Sequence, residues 1–256
     1  MLVPPFLPDQ PDVRKDLADY YQSATRLDRG VGLVLDALKK AGAADDTLVI
    51  FLSDNGIPFP GAKTTLYDAG VRLPLILSSP RQTKRGHSND SMASWVDVTP
   101  TVLDWAGLKA DKLPGRSLLG ELDQEHSTTG PDAVFGSHVQ HEVTMYYPMR
   151  SVRTRRHKYI LNLASGLEFP TAQDLYRSPT WQGILRRHDK SLGGRALDAY
   201  LRRPREELFD LQKDPNEFTN VAADPAYASV LAELRGRLKE WQEKTQDPWL
   251  VKYEHE

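Results

Sequence analysis

The hydrophobic pattern of the first third of the chain predicts one long helix followed by short strands. From residue 12 to residue 42 apolar side chains recur at helical spacing, and Gly42 is placed to end the helix. Five apolar residues follow at 48–52, directly before a turn signal, which predicts a buried strand. A second apolar run at 71–77 predicts another strand, in which Pro74 favours an edge position or a bulge. This order of elements predicts the flank of an α/β sheet.

The pattern changes after residue 122. A polar stretch at 123–131 is typical of a linker, and alternating runs then predict a small antiparallel sheet. Its strands are expected at 133–139, 150–154, 157–163 and 207–211. Apolar residues at helical spacing predict one helix at 94–108 and a terminal amphipathic helix at 225–244. We therefore predict an α/β unit at 1–122 and an antiparallel-sheet subdomain with a terminal helix at 132–256.

The turn behind the strand at 48–52 carries the candidate chemistry. Open α/β sheets bind ligands at the carboxyl ends of their strands, which predicts that Asp54 and Asn55 face a crevice. Their oxygens suit Ca²⁺ or Mg²⁺, and Lys63 adds a cation for an anionic substrate. Calcium takes about six to eight oxygen ligands, so further carboxylates must come from elsewhere. The alternative is an ordinary strand-terminating turn, which Asp, Asn and Gly also favour.

Composition narrows the classes of partner. The formal net charge of −2, from 33 basic and 35 acidic residues, gives no electrostatic case for nucleic acid or an anionic membrane surface. No apolar run approaches the ~20 residues of a membrane span. The chain has no cysteine, which excludes disulfides and thiolate metal sites.

Several motifs share one resemblance. The first motif consists of residues 52–56, Lys63 and residues 66–74. The second is the stretch Glu207 to Asn220, which contains Asp214-Pro215-Asn216-Glu217. Residues 134–152, with His141-Glu142-Val143-Thr144-Met145, form the third. The first two resemble the second half of type I sulfatases of the alkaline phosphatase-like superfamily. The third resembles one subfamily, the heparan N-sulfatases or sulfamidases.

The resemblance implies a fold and a set of roles. The fold would be the C-terminal part of an alkaline phosphatase-like sandwich of helices around a mixed sheet, followed by a small α+β subdomain. Asp54 and Asn55 would be ligands of Ca²⁺, the family's usual ion, and Lys63 would contact the sulfate as a catalytic and binding residue. His141 and Glu142 would line the sugar pocket. The substrate would be a sulfated sugar such as N-sulfoglucosamine.

The resemblance also shows what the chain lacks. Type I sulfatases make a formylglycine nucleophile from Cys or Ser in a C/S-x-P-x-R motif, and they add an aspartate pair from the first strand. Residues 79–81 (Ser-Pro-Arg) do not have the spacing of this motif, and residues 178–180 (Ser-Pro-Thr) do not contain its arginine. The acidic pair at 45–46 lies in the loop before the strand at 48–52, so it is not a pair at the end of an early strand. We therefore expect a truncated or split reading frame, inactive alone, whose partners are the missing N-terminal half and a sulfated sugar. The uncovered sheet also favours a homo-oligomer.

Two other hypotheses remain open at this point. One is a phosphoryl-transfer member of the same superfamily, and the other is a non-catalytic binding or interaction module. The basic residues between Arg150 and Lys158 either contact a sulfated glycan or face solvent. Asp97 and Asp104, in the helix at 94–108, are read as cap or surface residues and not as catalytic acids.

Overall fold

The computed structural model describes residues 1–109, 111–127 and 130–253, and it has an α/β architecture. The α-helices are α1 (Pro11–Lys40), α2 (Asp68–Val71), α3 (Val98–Trp105), α4 (Gln173–Tyr176), α5 (Pro179–Arg187), α6 (Leu197–Leu201) and α7 (Ala228–Lys244). The strands are β1 (Val49–Leu52), β2 (Leu75–Ser78), β3 (Ala133–Gln140), β4 (Tyr146–Thr154), β5 (His157–Asn162), β6 (Ser191–Leu192), β7 (Arg195–Ala196) and β8 (Glu206–Asp210). No helix within the described ranges is long and apolar enough to cross a membrane.

The largest sheet has four strands in the order β3-β4-β5-β8. Strand β5 pairs antiparallel with both β4 and β8, and its Ile160 lies between Ser151 and Glu207. All four strands were predicted from alternation, although β4 begins earlier than expected, at Tyr146. The remaining strands form two-stranded antiparallel sheets, β1-β2 and β6-β7.

The strand after residue 48 is present, but its predicted burial is wrong. All four residues of β1 are only half-buried, and its described partner is β2, with Phe51 opposite Ile76. Apolar residues on both faces of a strand are buried only when layers pack on both sides, and this sheet has just two strands. Strand β2 also starts later than predicted, because the chain first forms the short helix α2 and then passes through Pro74.

The helices follow the predicted pattern closely. Helix α1 covers the predicted segment, and α3 continues a 3₁₀ turn at Trp95–Asp97. Asp97 is a cap residue, as expected, because its carboxylate accepts the backbone N–H groups of Ser94 and Arg116, each at 2.9 Å. Asp104 accepts a hydrogen bond from Ser117 Oγ. Helix α7 buries one apolar face, formed by Leu231, Leu234 and Leu238.

The described chain forms two compact units, each built from separate segments. The first comprises residues 1–24, 54–73 and 135–256, and the second comprises 25–53 and 74–134. The core of the first unit includes Val13, Leu17, Phe59, Tyr147, Ile160, Phe169 and Phe209. The division at 122–132 remains a prediction about the domains of a complete sulfatase-type fold.

The predicted linker at 123–131 is fixed by hydrogen bonds within the second unit. Asp123 Oδ1 accepts the backbone N–H groups of Thr83 and Lys84, each at 2.8 Å. Asn89 Nδ2 donates to the carbonyl oxygen of Gln124 at 2.6 Å. The segment is therefore irregular but anchored where the structure describes it; Thr128 and Thr129 lie outside the described residues.

Candidate functional site

Two glycines hold the two ends of the loop that follows β1. The N–H of Gly56 donates to the carbonyl oxygen of Gly70 at 3.0 Å. A Cβ atom at Gly56 would lie 2.4 Å from the carbonyl oxygen of Ala69, and one at Gly70 would lie 2.5 Å from that of Ala62. Real Cβ atoms do not approach backbone oxygen so closely, so both positions require glycine. The segment between them, which carries Lys63, is thus held as a closed loop.

Asp54 and Asn55 lie at the start of this loop. Asp54 is exposed and Asn55 is half-buried. The carboxylate of Asp54 accepts the backbone N–H of Asn55 at 2.9 Å, which is the local bond that Asp makes in turns. The turn alternative is therefore present at this position.

Lys63 is placed by the loop against helix α4. Its backbone N–H donates to the carbonyl oxygen of Ile57 at 3.2 Å, and its Nζ forms an ion pair with the carboxylate of Asp174. The Lys63 side chain is 16% exposed and that of Asp174 is 50% exposed. Sequence reasoning missed Asp174, because it follows an irregular segment and belongs to none of the motifs quoted for the resemblance.

His141 and Glu142 belong to the turn between β3 and β4, near the same helix. The turn is closed by two backbone hydrogen bonds, from His141 N to Met145 O at 3.3 Å and from Met145 N to Glu142 O at 2.9 Å. Glu142 Oε1 accepts the backbone N–H of Gln173, the first residue of α4. Lys63 and Glu142 therefore contact successive residues of α4.

The charges around Asp174 act on one another. Partial burial raises the pKa of this carboxyl, but the Lys63 hydrogen bond, the Leu175 N–H and the charge of His141 together lower it below its ordinary value. Asp174 is thus ionised at neutral pH beside Lys63. The structure brings together three of the five predicted site residues, Lys63, His141 and Glu142, around Gln173 and Asp174.

The described residues supply only part of a metal site. Across residues 1–109, 111–127 and 130–253, no three His, Asp or Glu side chains are grouped so as to hold a metal ion. Asp54 and Asn55 offer the hard oxygen donors of a calcium site, but two residues cannot provide about six to eight ligands. The donor set fits a cation only if further ligands come from another polypeptide segment, as the sequence led us to expect.

Arg150, Arg153 and Lys158 are paired with acids and do not form an open surface, so both sequence interpretations are wrong for these three. Arg155 and Arg156 are exposed, as the solvent-facing interpretation expected. Arg150 is buried and forms a bidentate ion pair with Asp247, with N–O distances of 2.6 and 2.8 Å. Arg153 forms a similar pair with Asp68, at 2.9 and 2.8 Å. Lys158 is fully buried. Sheet pairing turns these alternating charges towards acidic partners from distant segments.

A buried charge cluster, formed by Asp68, Arg153, Lys158 and Glu217, lies beside the loop that carries Lys63. Lys158 Nζ contacts the Asp68 carboxylate, lies 2.9 Å from Glu217 Oε1, and donates to Leu66 O at 3.1 Å. Glu217 also accepts the backbone N–H of Asp68. The cluster contains two acids and two bases, so its charges balance, as burial requires. It anchors residues 66–70, the end of the glycine-closed loop.

Burial and pairing shift the pKa values of the two acids in opposite directions. For Asp68, burial raises the pKa, but hydrogen bonds from Arg153 and Lys158 outweigh it and lower the pKa to about 2. For Glu217, burial dominates over the attraction of Lys158 and raises the pKa. The signal for this cluster was present in the sequence, since Glu217 belongs to the terminal sulfatase-like motif.

Comparisons with known proteins point to the same family as the sequence motifs. The family model described as Sulfatase matches residues 4–108, and the model described as N-sulphoglucosamine sulphohydrolase, C-terminal, matches residues 62–180. The chain is 46% identical to human N-sulphoglucosamine sulphohydrolase over 98% of its own length and 52% of that protein. It is 31% identical to an ulvan-active sulfatase of Formosa agariphila, over 93% of the chain and 40% of that protein. The chain thus spans about half the length of these relatives.

Solved structures show the same fold. One, solved in complex with its substrate D-glucosamine-2-N,6-O-disulfate, matches with a TM-score of 0.65 and 24% identity, over 91% of this chain and 41% of that one. Another, a phosphonate monoester hydrolase from Silicibacter pomeroyi, matches with a TM-score of 0.61 and 25% identity, over 89% and 40%. On the evidence of its motifs, the two family models and the 46% identity, the chain belongs to the sulfatase family.

Proposed function

We propose that this chain is the C-terminal half of a hydrolase of sulfuric esters or sulfamates, acting on sulfated sugars such as N-sulfoglucosamine. The observation that carries the proposal is the meeting of Lys63, His141 and Glu142 at one end of α4. Identity to human N-sulphoglucosamine sulphohydrolase over almost the whole chain supports the reaction class. The disulfated glucosamine bound by one structural relative supports the class of substrate.

Lys63 is the residue that we assign to the sulfate. The ion pair with Asp174 holds the ammonium group in place. This pair is weak, about 0–1 kcal/mol, because the Asp174 carboxylate is half-exposed to solvent. A sulfate oxygen can therefore replace or share the Asp174 carboxylate at little cost. In that position Lys63 would neutralise charge that develops on oxygen as the S–O or S–N bond breaks.

Asp54 and Asn55 are the residues that we assign to a divalent cation, with Ca²⁺ as the family expectation. A bound cation supplies Lewis-acid stabilisation of the sulfate oxygens. The glycine-closed loop gives these two residues and Lys63 a common frame, since Gly56 follows Asn55 and bonds to Gly70. The hydrogen bond from the N–H of Asn55 holds the Asp54 carboxylate at the start of this loop.

His141 and Glu142 are assigned to the sugar pocket. The turn that holds them is fixed at both ends by backbone bonds, and Glu142 is oriented by the N–H of Gln173. A neutral or protonated imidazole and a carboxylate can hydrogen-bond sugar hydroxyl and amine groups. These two residues would thus select the sugar, while Lys63 holds the group that is removed.

The nucleophile has to come from the half of the fold that this chain does not match. No C/S-x-P-x-R sequence occurs in the 256 residues. A formylglycine and the remaining metal ligands would therefore be supplied by an N-terminal half, which makes that half a required partner. The chain alone is expected to be inactive.

The test joins the two halves. We would fuse the chain to the N-terminal half of human N-sulphoglucosamine sulphohydrolase, express the fusion with a formylglycine-generating enzyme, and measure sulfate release from N-sulfoglucosamine and from 4-nitrocatechol sulfate. We expect turnover by the fusion, none by the chain alone, and loss of about a hundredfold or more in Lys63→Met. Lys244→Met, at the exposed end of α7, is the matched control and should retain activity.

The same protein separates the alternative functions. Release of phosphate from 4-nitrophenyl phosphate, without release of sulfate, would favour the phosphoryl-transfer alternative. Binding of a sulfated sugar by the chain alone, unaffected by Lys63→Met, would favour the binding-module alternative. Calcium titration by calorimetry should detect tight binding by the fusion and its loss in Asp54→Ala, because the chain alone contributes too few ligands.

A further inference from the structure

Asp174 pairs with the residue that the proposed function assigns to the sulfate. Its Oδ2 accepts a hydrogen bond from Lys63 Nζ, and its Oδ1 accepts the backbone N–H of Leu175 at 2.8 Å. The second bond holds the carboxylate against the backbone of α4. An ionised carboxylate has about four acceptor positions, so these two bonds leave room for a third donor. Asp174 therefore has both a fixed place and the capacity to bind a ligand.

The backbone behind Lys63 is strained. Thr64, the next residue, has a φ of 68°, a left-handed conformation that a β-branched residue rarely adopts. Such a conformation persists only where the surrounding structure imposes it, and it is found most often at functional sites. Here the loop turns back on itself, because the N–H of Lys63 donates to the carbonyl oxygen of Ile57 at 3.2 Å. The loop thus sets the place of Lys63 opposite α4.

Asp174 lies between the residues assigned to the two ends of the bond that is broken. On one side it contacts Lys63, which is assigned to the sulfo group. On the other side Glu142, which is assigned to the sugar, accepts the N–H of Gln173, the residue next to Asp174. The charge of His141, from the same turn as Glu142, also acts on Asp174. A substrate that reaches from Lys63 to this turn brings the atom that joins sulfur to the sugar close to Asp174.

A carboxylate at this place distinguishes the two classes of bond named in the proposed function. In a sulfamate the joining atom is nitrogen, and it carries a hydrogen. In a sulfuric ester the joining atom is oxygen, and it carries none. An ionised carboxylate only accepts hydrogen bonds, so it binds the N–H of a sulfamate and is repelled by the lone pairs of an ester oxygen.

The products of the two reactions differ in the same way. When a sulfamate is hydrolysed, the oxygen of water goes to sulfur, and the S–N bond breaks with its electron pair left on nitrogen. Both protons of the water end on that nitrogen, so the sugar leaves as an ammonium ion. When an ester is hydrolysed, the sugar oxygen takes one proton and leaves as a neutral hydroxyl, and the second proton goes to solvent. A carboxylate beside the joining atom therefore stabilises the first product by a charged hydrogen bond and not the second.

We infer that Asp174 is the residue by which this site selects sulfamates over sulfuric esters, because its carboxylate accepts the N–H of the substrate and then holds the ammonium group of the product. This assignment rests on the proposed function, which leaves both classes of bond open. Lys63 cannot make the choice, since the sulfo group that it contacts is the same in both classes. Specificity requires a group that treats the two substrates differently, and Asp174 is such a group.

Two sugars that differ only in the joining atom test the assignment. N-sulfoglucosamine carries the sulfo group on nitrogen at C2, and glucose 2-sulfate carries it on oxygen at the same carbon. Sulfate release from each would be measured in the fusion to the human N-terminal half, which should prefer N-sulfoglucosamine. In Asp174→Ala we expect kcat/KM for N-sulfoglucosamine to fall at least about tenfold, and that for glucose 2-sulfate to change less than about threefold. Asp174→Asn keeps an acceptor oxygen but loses the charge, so its effect should be intermediate.

The matched control is Asp198→Ala. Asp198 is another exposed carboxylate that pairs with a cation, Arg202, and it lies on α6. This variant should leave kcat/KM for both sugars within about twofold of the unmodified fusion. Circular dichroism checks that each variant folds, and the isosteric Asp174→Asn provides the comparison if Asp174→Ala does not fold.

Three results would overturn the assignment. One is a loss of equal size with both sugars, because a residue that only positions Lys63 affects the sulfo group of either substrate alike. The others are an unchanged kcat/KM for N-sulfoglucosamine in Asp174→Ala and a preference of the unmodified fusion for glucose 2-sulfate. Product inhibition gives a second readout: glucosamine should inhibit the unmodified fusion more strongly than glucose does, and Asp174→Ala should remove this difference.

Failure of the assignment and failure of the proposed function give different results. Sulfate release from both sugars, at a ratio that Asp174→Ala leaves unchanged, would support the proposed function and reject the assignment. Release from neither sugar would reject the proposed function, and calorimetric binding of the two sugars to the fusion would then decide on Asp174. Tighter binding of N-sulfoglucosamine that is lost in Asp174→Ala would support the assignment, and equal binding of the two sugars would overturn it.

Discussion

The four-stranded sheet buries charged side chains, whereas the second half of α1 exposes apolar ones. In the sheet, charged residues such as Lys158 are buried, and each has partners of opposite charge from segments distant in sequence. In the helix from Thr25 to Lys40, apolar residues such as Val34 are exposed. Burying paired charges is common in a finished domain, whereas exposing an apolar stripe marks an interface. The comparison teaches that burial follows the partners that the fold supplies and not the polarity of the side chain alone.

The comparison also separates stability from function. The buried charge cluster fixes residues 66–70 and, through Gly70 and Gly56, the loop that carries Asp54, Asn55 and Lys63. The candidate site residues therefore lie in the first unit.

The largest effect is expected from breaking the buried charge cluster. Lys158→Met leaves Asp68 and Glu217 buried beside each other with one cation fewer, which should lower the free energy of unfolding by about 3–5 kcal/mol. Urea denaturation followed by circular dichroism measures this change. The control is Arg202→Ala, which removes an exposed ion pair with Asp198 and should cost no more than about 1 kcal/mol. Equal effects of the two substitutions would contradict the cluster's role.

A pH titration should separate the two acids of the cluster. The folded-state pKa of Asp68, about 2, lies below its ordinary value of 3.8, so its contribution of about 2 kcal/mol is present above pH ~4 and lost as the pH falls towards 2. The raised pKa of Glu217 acts in the opposite sense, because the folded state binds that proton more tightly. As the pH falls towards 4.5, the ordinary pKa of a Glu, Glu217 should therefore add stability, and Asp68 should remove it as the pH falls further towards 2.

The variant Glu217→Gln sharpens this titration. Measured from urea midpoints across the pH range, the stability of the unmodified chain relative to this variant should increase as the pH falls towards 4.5. A relative decrease would show that the sign assigned to Glu217 is reversed.

Adding a side chain at Gly56, in the loop that carries Lys63, should have an intermediate effect on stability. In Gly56→Ala the new Cβ would meet the carbonyl oxygen of Ala69 at 2.4 Å, so backbone must shift. We expect a loss of about 2 kcal/mol in unfolding free energy and, in the fusion with the N-terminal half, weaker calcium binding because Asn55 is adjacent. Thermal unfolding and calorimetric titration check the two parts. Unchanged stability would mean that the loop accommodates a side chain.

The smallest effect is an increase in stability, and it is expected in the second half of α1. Gly32 has no atom within 4 Å of where its Cβ would lie, so Gly32→Ala adds helix propensity without a clash. It should stabilise the second unit by up to about 1 kcal/mol in the chain alone. Urea denaturation followed by circular dichroism measures this change. A loss of stability would show that the helix does not accommodate a side chain at this position.

The sequence by itself determined the elements of this protein and its family. Helix α1, the strands of the four-stranded sheet and helix α7 all follow from apolar periodicity, because 3.6-residue and 2-residue repeats are local properties. The motif around Asp54, Asn55 and Lys63 and the terminal motif with Glu217 identified the sulfatase family. The absence of a formylglycine motif is likewise a fact of the sequence alone.

Only the tertiary structure decided which charges meet and which apolar residues remain exposed. Asp174 lies 111 residues from Lys63 along the chain, and Glu217 lies 149 residues from Asp68, so no local pattern could pair them. The composition of the run at 48–52 suits a buried central strand, yet its burial depends on neighbouring layers, and among the described residues β1 pairs with β2 alone. Apolar periodicity indicates which face of a segment favours burial, and only the tertiary structure determines whether other segments bury it.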